Sequence, residues 1–224
     1  MVEVNSSEVS KRVATNLLNK KAVMVKMDPP FTWVSGIKSP VYCDNRKMIS
    51  FPEERKMVVD AFKEVLNTRV ASGEMQMPDV IGGTATAAIP WAAFLAYEMG
   101  LPMVYIRPEA KEHGAGKQVE GMLEAGQRVL IVEDLISTGG SSVKAAEAVV
   151  KEGGQVTDIF SIVSWELPKA QALFAEAGLK FTNLTGFTDI IALARDRGDI
   201  TSEQYEVVMD FKNDTAGWGG KHGF

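Results

Sequence analysis

The sequence predicts an α/β fold in which a mainly parallel central sheet is flanked by helices, and three observations carry that prediction. From residue 52 onward, helix-length amphipathic segments alternate with short β-rich runs, the rhythm of βαβ units. Those runs are continuously apolar, as in Val129, Leu130, Ile131 and Val132, which suits strands covered on both faces. At 224 residues the chain is long enough for one sizeable core, or for one core with a small appended subdomain.

In chain order, residues 6–20 place Val9, Val13, Leu17 and Leu18 at helical spacing, with Ser6 or Ser7 as the cap. A short strand is expected at 22–27. Asp28-Pro29-Pro30 stops any helix, Ser35-Gly36 and Ser39-Pro40 continue the punctuation, and 41–43 reads as a short extended piece. The first fifty residues therefore look like an appendage to the main sheet. Then follow a helix at 52–70, a strand at 80–81, a helix at 85–99 and a strand at 103–106. A loop is expected from 107 to about 124, then a strand at 129–132, a helix at 142–152, a strand at 156–163, a helix at 168–177 and a short strand at 181–184. Helices at 188–195 and 202–211 close the series, and the Gly-rich end, 215–224, is expected to be loosely ordered.

Bulk composition excludes several classes. Twenty-four basic against 29 acidic residues give a net charge of −5, which argues against broad nucleic-acid binding. No apolar run approaches a membrane span, and the first residues lack the basic end and apolar core of a secretory signal, so a cytoplasmic protein is expected. Cys43 is the only cysteine, so no intrachain disulfide forms, and two histidines exclude a His-rich metal site.

The chemistry concentrates in RVLIVEDLISTGGSS, residues 128–142. Glu133 and Asp134 follow the apolar run at its carboxyl end, where ligands of open α/β sheets bind, and carboxylates accept hydrogen bonds from sugar hydroxyls. Ser137, Thr138, Gly139, Gly140 and Ser141 come next. They combine three hydroxyls with small side chains that let backbone N–H groups approach an anion, just where a helix N-terminus adds its positive end. No Gly-Lys-Ser or Gly-Lys-Thr closes the turn, so it is not a P-loop. For a strand–Asp–Gly turn taken alone, a solvated acidic strand end with an ordinary helix cap is the simpler reading.

Between Met103 and Val129 the chain is polar and glycine-rich and carries Arg107, Lys111, His113 and Lys117. A mobile surface hairpin explains this composition. An active-site lid explains it too, since cations on a movable loop suit a polyanion that is covered during reaction and then released.

The cradle string resembles the phosphoribosyl pyrophosphate (PRPP) motif of type I phosphoribosyltransferases, which enzymes for several bases and some regulators share. Joined with FTWVSGIKSPVYCDNR (31–46), IGGTATAAIP (81–90) and RPEAKEHGAGKQVEG (107–121), it resembles the orotate phosphoribosyltransferase family over nearly the full chain. That resemblance implies a type I fold with a small N-terminal hood region (1–50), a core (51–214) and a C-terminal tail (215–224), working as a homodimer. It implies synthesis of orotidine 5′-monophosphate from orotate and Mg²⁺-bound PRPP, with the later decarboxylation left to another chain.

By the same resemblance, Arg107, Lys111 and His113 reach the pyrophosphate from the neighbouring subunit, and Lys111, Arg107, His113 and Asp134 are the catalytic set. Glu133 and Asp134 meet the ribose hydroxyls and lie near Mg²⁺, which PRPP itself mainly holds. Ser137, Thr138, Gly139, Gly140 and Ser141 hold the 5-phosphate, and Thr84, Ala85 and Thr86 lie beside the pyrophosphate. Lys38, Tyr42, Cys43, Arg46 and Ser137 face orotate. Val34, Ala87 and Pro108 stand where many members have lysines, and Trp165 and Glu166 lie where others carry an orotate-binding arginine; our hypothesis is that Arg46 supplies the carboxylate contact instead. Cys43 is expected to be a small hydrophobe rather than a nucleophile, and Trp33, Trp91 and Trp165 are expected to be packing residues.

Overall fold

The computed structural model describes residues 6–33, 36–110, 117–156 and 158–224. The chain opens with α1 (Ser6–Asn19), β1 (Val23–Val25), β2 (Phe31–Thr32), β3 (Lys38–Ser39) and β4 (Val41–Cys43). A 3-10 helix (Asn45–Ser50) leads into α2 (Pro52–Ala71), β5 (Val80–Thr84), α3 (Ile89–Met99), β6 (Met103–Ile106) and β7 (Val119–Glu120). Next come β8 (Val129–Ile136), α4 (Gly140–Lys151), β9 (Asp158–Ser164), α5 (Pro168–Glu176) and β10 (Lys180–Gly186). The chain closes with α6 (Phe187–Asp196), α7 (Ser202–Asn213) and α8 (Trp218–Lys221).

Six described strands form the main sheet in the order β10-β9-β8-β5-β6-β7, parallel except for β7. Alternation along the strands divides the core between the two faces. Ile81, Leu130, Val132, Phe160 and Ile162 point toward α1, α2, α3, α6 and α7. Val80, Val129, Ile131 and Ile159 point the other way, toward α4 and α5. The chain runs outward from β5 to β6 and then returns to β8 on the other side of β5, so the carboxyl ends of β5 and β8 flank a topological switch point.

Helix boundaries follow local chemistry. Pro52 and Pro168 stand at the first turns of α2 and α5, where the missing N–H costs nothing, and Thr201 and Gln204 close a capping box on α7. The buried Arg69 guanidinium lies 3.0 Å from Asp158 and donates to Thr182 at 2.8 Å, which ties α2 to β9 and β10. Two small antiparallel pairs, β1 with β4 and β2 with β3, stand apart from the main sheet.

Several expectations need correction. Residues 85–88 are a turn, and α3 begins only at Ile89. Strand β5 continues through Gly82 and Gly83 to Thr84 because a close neighbour requires glycine: a Cβ on Gly83 would lie 2.7 Å from the Ala92 Cβ of α3. Strand β8 runs on to Ile136, so Glu133 and Asp134 lie within it rather than after it; pairing with β9 holds this polar end extended. The loop expected at 107–124 contains β7. The end of the chain is not loose, since Trp218 is fully buried and Phe224 stacks on it. No helix among the described residues is long and apolar enough to cross a membrane.

Candidate active site

Beyond the Gly83–Val132 pair, β8 has outrun β5, and Glu133 and Asp134 occupy the continuation, which pairs on its other side with β9. Glu133 is buried, at 5% exposure. Its two oxygens accept hydrogen bonds from the chain's own hydroxyls, Thr84 at 2.5 Å and Ser142 at 2.8 Å. Burial pushes its carboxyl up to about 7, opposed by those hydroxyls and reinforced by the neighbouring Asp134 charge. Asp134 is half-buried, and burial raises its carboxyl too.

Past β8 the chain turns through Ser137, Thr138 and Gly139 into α4. Gly139 has φ 80° and caps the helix without a side chain, a conformation open to glycine at little cost. A Cβ there would also come within 3.0 Å of the Phe174 ring. Ser141 is an exposed residue and Ser142 a buried one, and the hydroxyls of both turn toward the Glu133 carboxylate.

Across the switch point, Thr84, Ala85, Arg107, Gly140 and Ser141 line one cavity of about 420 Å³, together with Glu109 and Lys144. The residues expected at the phosphate loop, the pyrophosphate loop and the base of a lid are thus brought to one cavity. The lid's base is anchored: β6 and β7 pair through Tyr105–Glu120 and Ile106–Val119, and Glu152 accepts from the N–H groups of Gln118 and Val119. Arg107 lies 3.7 Å from Glu120. Lys111, His113 and Val34 lie outside the described residues. Thr86 sits in the turn after β5, and the Ala85–Thr86 peptide is cis.

The base-side candidates gather on β3, β4 and the 3-10 helix. Lys38 donates to Thr32 Oγ1 at 3.0 Å, and the Tyr42 ring packs against Phe31. Exposed Arg46 lies 2.6 Å from Asp44, whose carboxyl it holds below the ordinary range. Burial, with the charges of Asp134 and Asp44, pushes the Cys43 thiol far up, so it stays neutral. Trp91 and Trp165 are buried packing residues, as expected. Glu166 is committed to a structural knot: its carboxylate accepts from the Thr188 N–H and hydroxyl and from Lys212.

Asn45 and Lys144 went unremarked in the sequence. Asn45, 1% exposed, donates to the Asp134 carbonyl at 2.7 Å and so joins the 3-10 helix to β8. Its signal was available in the CDNR run, although only the fold brings it across 89 residues. Lys144 follows Gly140 by one helical turn, a spacing that places it over the same cavity.

A family model described as a phosphoribosyl transferase domain matches residues 55–178. The chain is 45% identical over 210 residues to an orotate phosphoribosyltransferase of Streptococcus pyogenes serotype M12 (strain MGAS2096), covering 94% of this chain and 98% of that one. Its structure is similar to orotate phosphoribosyltransferase from Aeropyrum pernix, at TM-score 0.71 and 30% identity over 84% of this chain and 99% of that one. It is also similar to Leishmania donovani UMP synthase, at TM-score 0.75 and 29% identity over 91% of this chain and 42% of that one.

Proposed function

The chain belongs to the orotate phosphoribosyltransferase family, with the type I fold of its relatives, and we propose that it runs the family's reaction at the β5–β8 switch point. It transfers the 5-phosphoribosyl group of PRPP to N1 of orotate, giving orotidine 5′-monophosphate and pyrophosphate for pyrimidine nucleotide synthesis. The observation that carries this reading is the convergence of Glu133, Asp134, the 137–141 turn and Thr84 at one point of the sheet, with Thr84, Ala85, Gly140 and Ser141 lining the adjoining cavity.

As the N1–C1 bond forms, the bond from C1 to pyrophosphate breaks, its electron pair leaves with the pyrophosphate, and the proton of orotate N1 is given up to that departing pyrophosphate. Positive charge gathers on the ribose, and no covalent protein nucleophile is required. Half-buried Asp134 accepts hydrogen bonds from the ribose hydroxyls. Glu133, whose oxygens already accept from Thr84 and Ser142, has lone pairs left to accept from a ribose hydroxyl as well. Backbone N–H groups of Gly139, Gly140 and Ser141, with the hydroxyls of Ser137, Thr138 and Ser141, hold the 5-phosphate at the start of α4.

Thr84, Ala85 and Thr86 flank the pyrophosphate, and Arg107, Lys111 and His113 supply positive charge or hydrogen bonds to it as it leaves. Lys38, Arg46, Ser137 and the backbone at Tyr42 and Cys43 face orotate. Mg²⁺ would arrive mainly on PRPP's own oxygens, with the half-buried Asp134 carboxylate nearby to meet it. When bound, Mg²⁺ neutralises pyrophosphate charge. A cytoplasmic setting without nucleic-acid or membrane partners belongs to the same reading, and the net charge of −5 argues against broad nucleic-acid binding.

The lid acts from the partner subunit of a homodimer, which makes the proposal testable by mixing. Lys111→Ala and Asp134→Asn should each lower turnover about a hundredfold while the proteins stay folded. Purified mixed dimers should regain about half the wild-type rate, because one site then keeps both residues. Near-normal turnover of Lys111→Ala refutes the lid's role, and mixed dimers without recovery refute its sharing.

A further inference from the structure

The C-terminal segment, which its glycines made look idle, packs directly on the hairpin that carries Lys38. Helix α8 lies against β3, and Gly219 is buried there. A Cβ on Gly219 would fall 2.8 Å from Lys38 Cβ and 3.0 Å from its Cγ, closer than carbon atoms pack. The lysine stem therefore lies flat on bare backbone. Its ammonium group is then directed to Thr32 Oγ1 across the β2–β3 pair.

The segment itself is fixed at several points. Trp218 is fully buried and donates its indole N–H to the Val207 carbonyl at 2.8 Å. Phe211 meets Trp218 edge-on at 5.8 Å and Trp33 edge-on at 5.5 Å, so one aromatic chain runs from α8 to the other arm of the hairpin. Lys221 and His222 both bind the Asp210 carboxylate, at 2.7 and 3.0 Å, and the Phe224 N–H donates to the Gly219 carbonyl. Such a clamp leaves α8 little room to yield, so an added methyl at 219 must displace Lys38 instead.

We propose that Gly219 is a positioning residue for the base site, setting the Lys38 side chain through a backbone contact made across the C-terminal clamp. The inference rests on the reading that Lys38 meets orotate, and Lys38→Ala tests that reading separately by its effect on the orotate KM. Neighbouring Gly220 provides the control, since a Cβ there meets nothing within 4 Å. Both substitutions change helix propensity alike, and only one touches Lys38.

The experiment is steady-state kinetics with orotate and PRPP varied in turn, on Gly219→Ala, Gly220→Ala, Thr32→Val and Lys38→Ala. Gly219→Ala should raise the orotate KM about tenfold and leave the PRPP KM within about twofold, while Gly220→Ala changes neither. Thr32→Val removes the ammonium's partner without touching α8 and should shift the orotate KM in the same direction. An orotate KM that rises for Lys38→Ala but not for Gly219→Ala or Thr32→Val overturns the positioning role. Equal rises for Gly219→Ala and Gly220→Ala overturn it as well, and an unchanged KM in Lys38→Ala removes the reading beneath it.

Discussion

Glu133 holds its proton to about 7, against 4.5 for an unperturbed glutamate, and that difference is a statement about stability. Between those values the folded chain keeps a proton that the unfolded chain releases. The favourable contribution is therefore complete below the ordinary carboxylate range and lost as pH rises through about 7. Glu133→Gln keeps a polar group between Thr84 and Ser142 without the charge. Its thermal midpoint should gain on wild type by about 3 °C or more between about pH 5 and about pH 8, read by scanning fluorimetry on the ligand-free protein. A gap that does not change with pH contradicts the burial argument. Asn45 shows the same interplay at a neutral residue: removing its amide leaves the Asp134 carbonyl without that donor, next to the carboxylate proposed for ribose.

At the scale of elements, the 3-10 helix presents Arg46 to solvent. Asp44 caps the helix and holds the guanidinium, while Asn45 fastens its first residue to β8. Orotate's carboxylate would take the place of Asp44 beside Arg46. Arg46→Ala should then raise the orotate KM about tenfold with little change in the PRPP KM, and an unchanged orotate KM removes the assignment. The VYCDNR string made this element visible as a motif, although not as a helix.

Elements bounded by proline or a capping pair were legible, as α2, α5 and α7 show. Strand ends were not. The strand expected at 80–81 stops short of Gly82 and Gly83, which close packing against Val129 and Ala92 demands, and Glu133 and Asp134 read as the end of a strand that pairing with β9 prolongs. Helix α8 was hidden because four residues with two glycines carry no periodicity, and only Trp218 signalled a buried anchor. Of the site, the acidic pair, the 137–141 turn and the lid base could be read directly. The link from Thr84 to Glu133 spans 49 residues and belongs to the fold.

Over the whole molecule, two helical layers cover a sheet whose strand order reverses between β5 and β8, and the proposed chemistry sits over that reversal. Asn45, just past the small strand pairs of the first fifty residues, is joined to that end of the sheet through the Asp134 carbonyl, and the C-terminal clamp packs on the pair that carries Lys38. The division of labour is testable as a choice of base. Spectrophotometric turnover with PRPP and Mg²⁺ should be seen with orotate and not with uracil, hypoxanthine or adenine. Turnover with a purine, or none with any base despite measurable PRPP binding, would contradict the account.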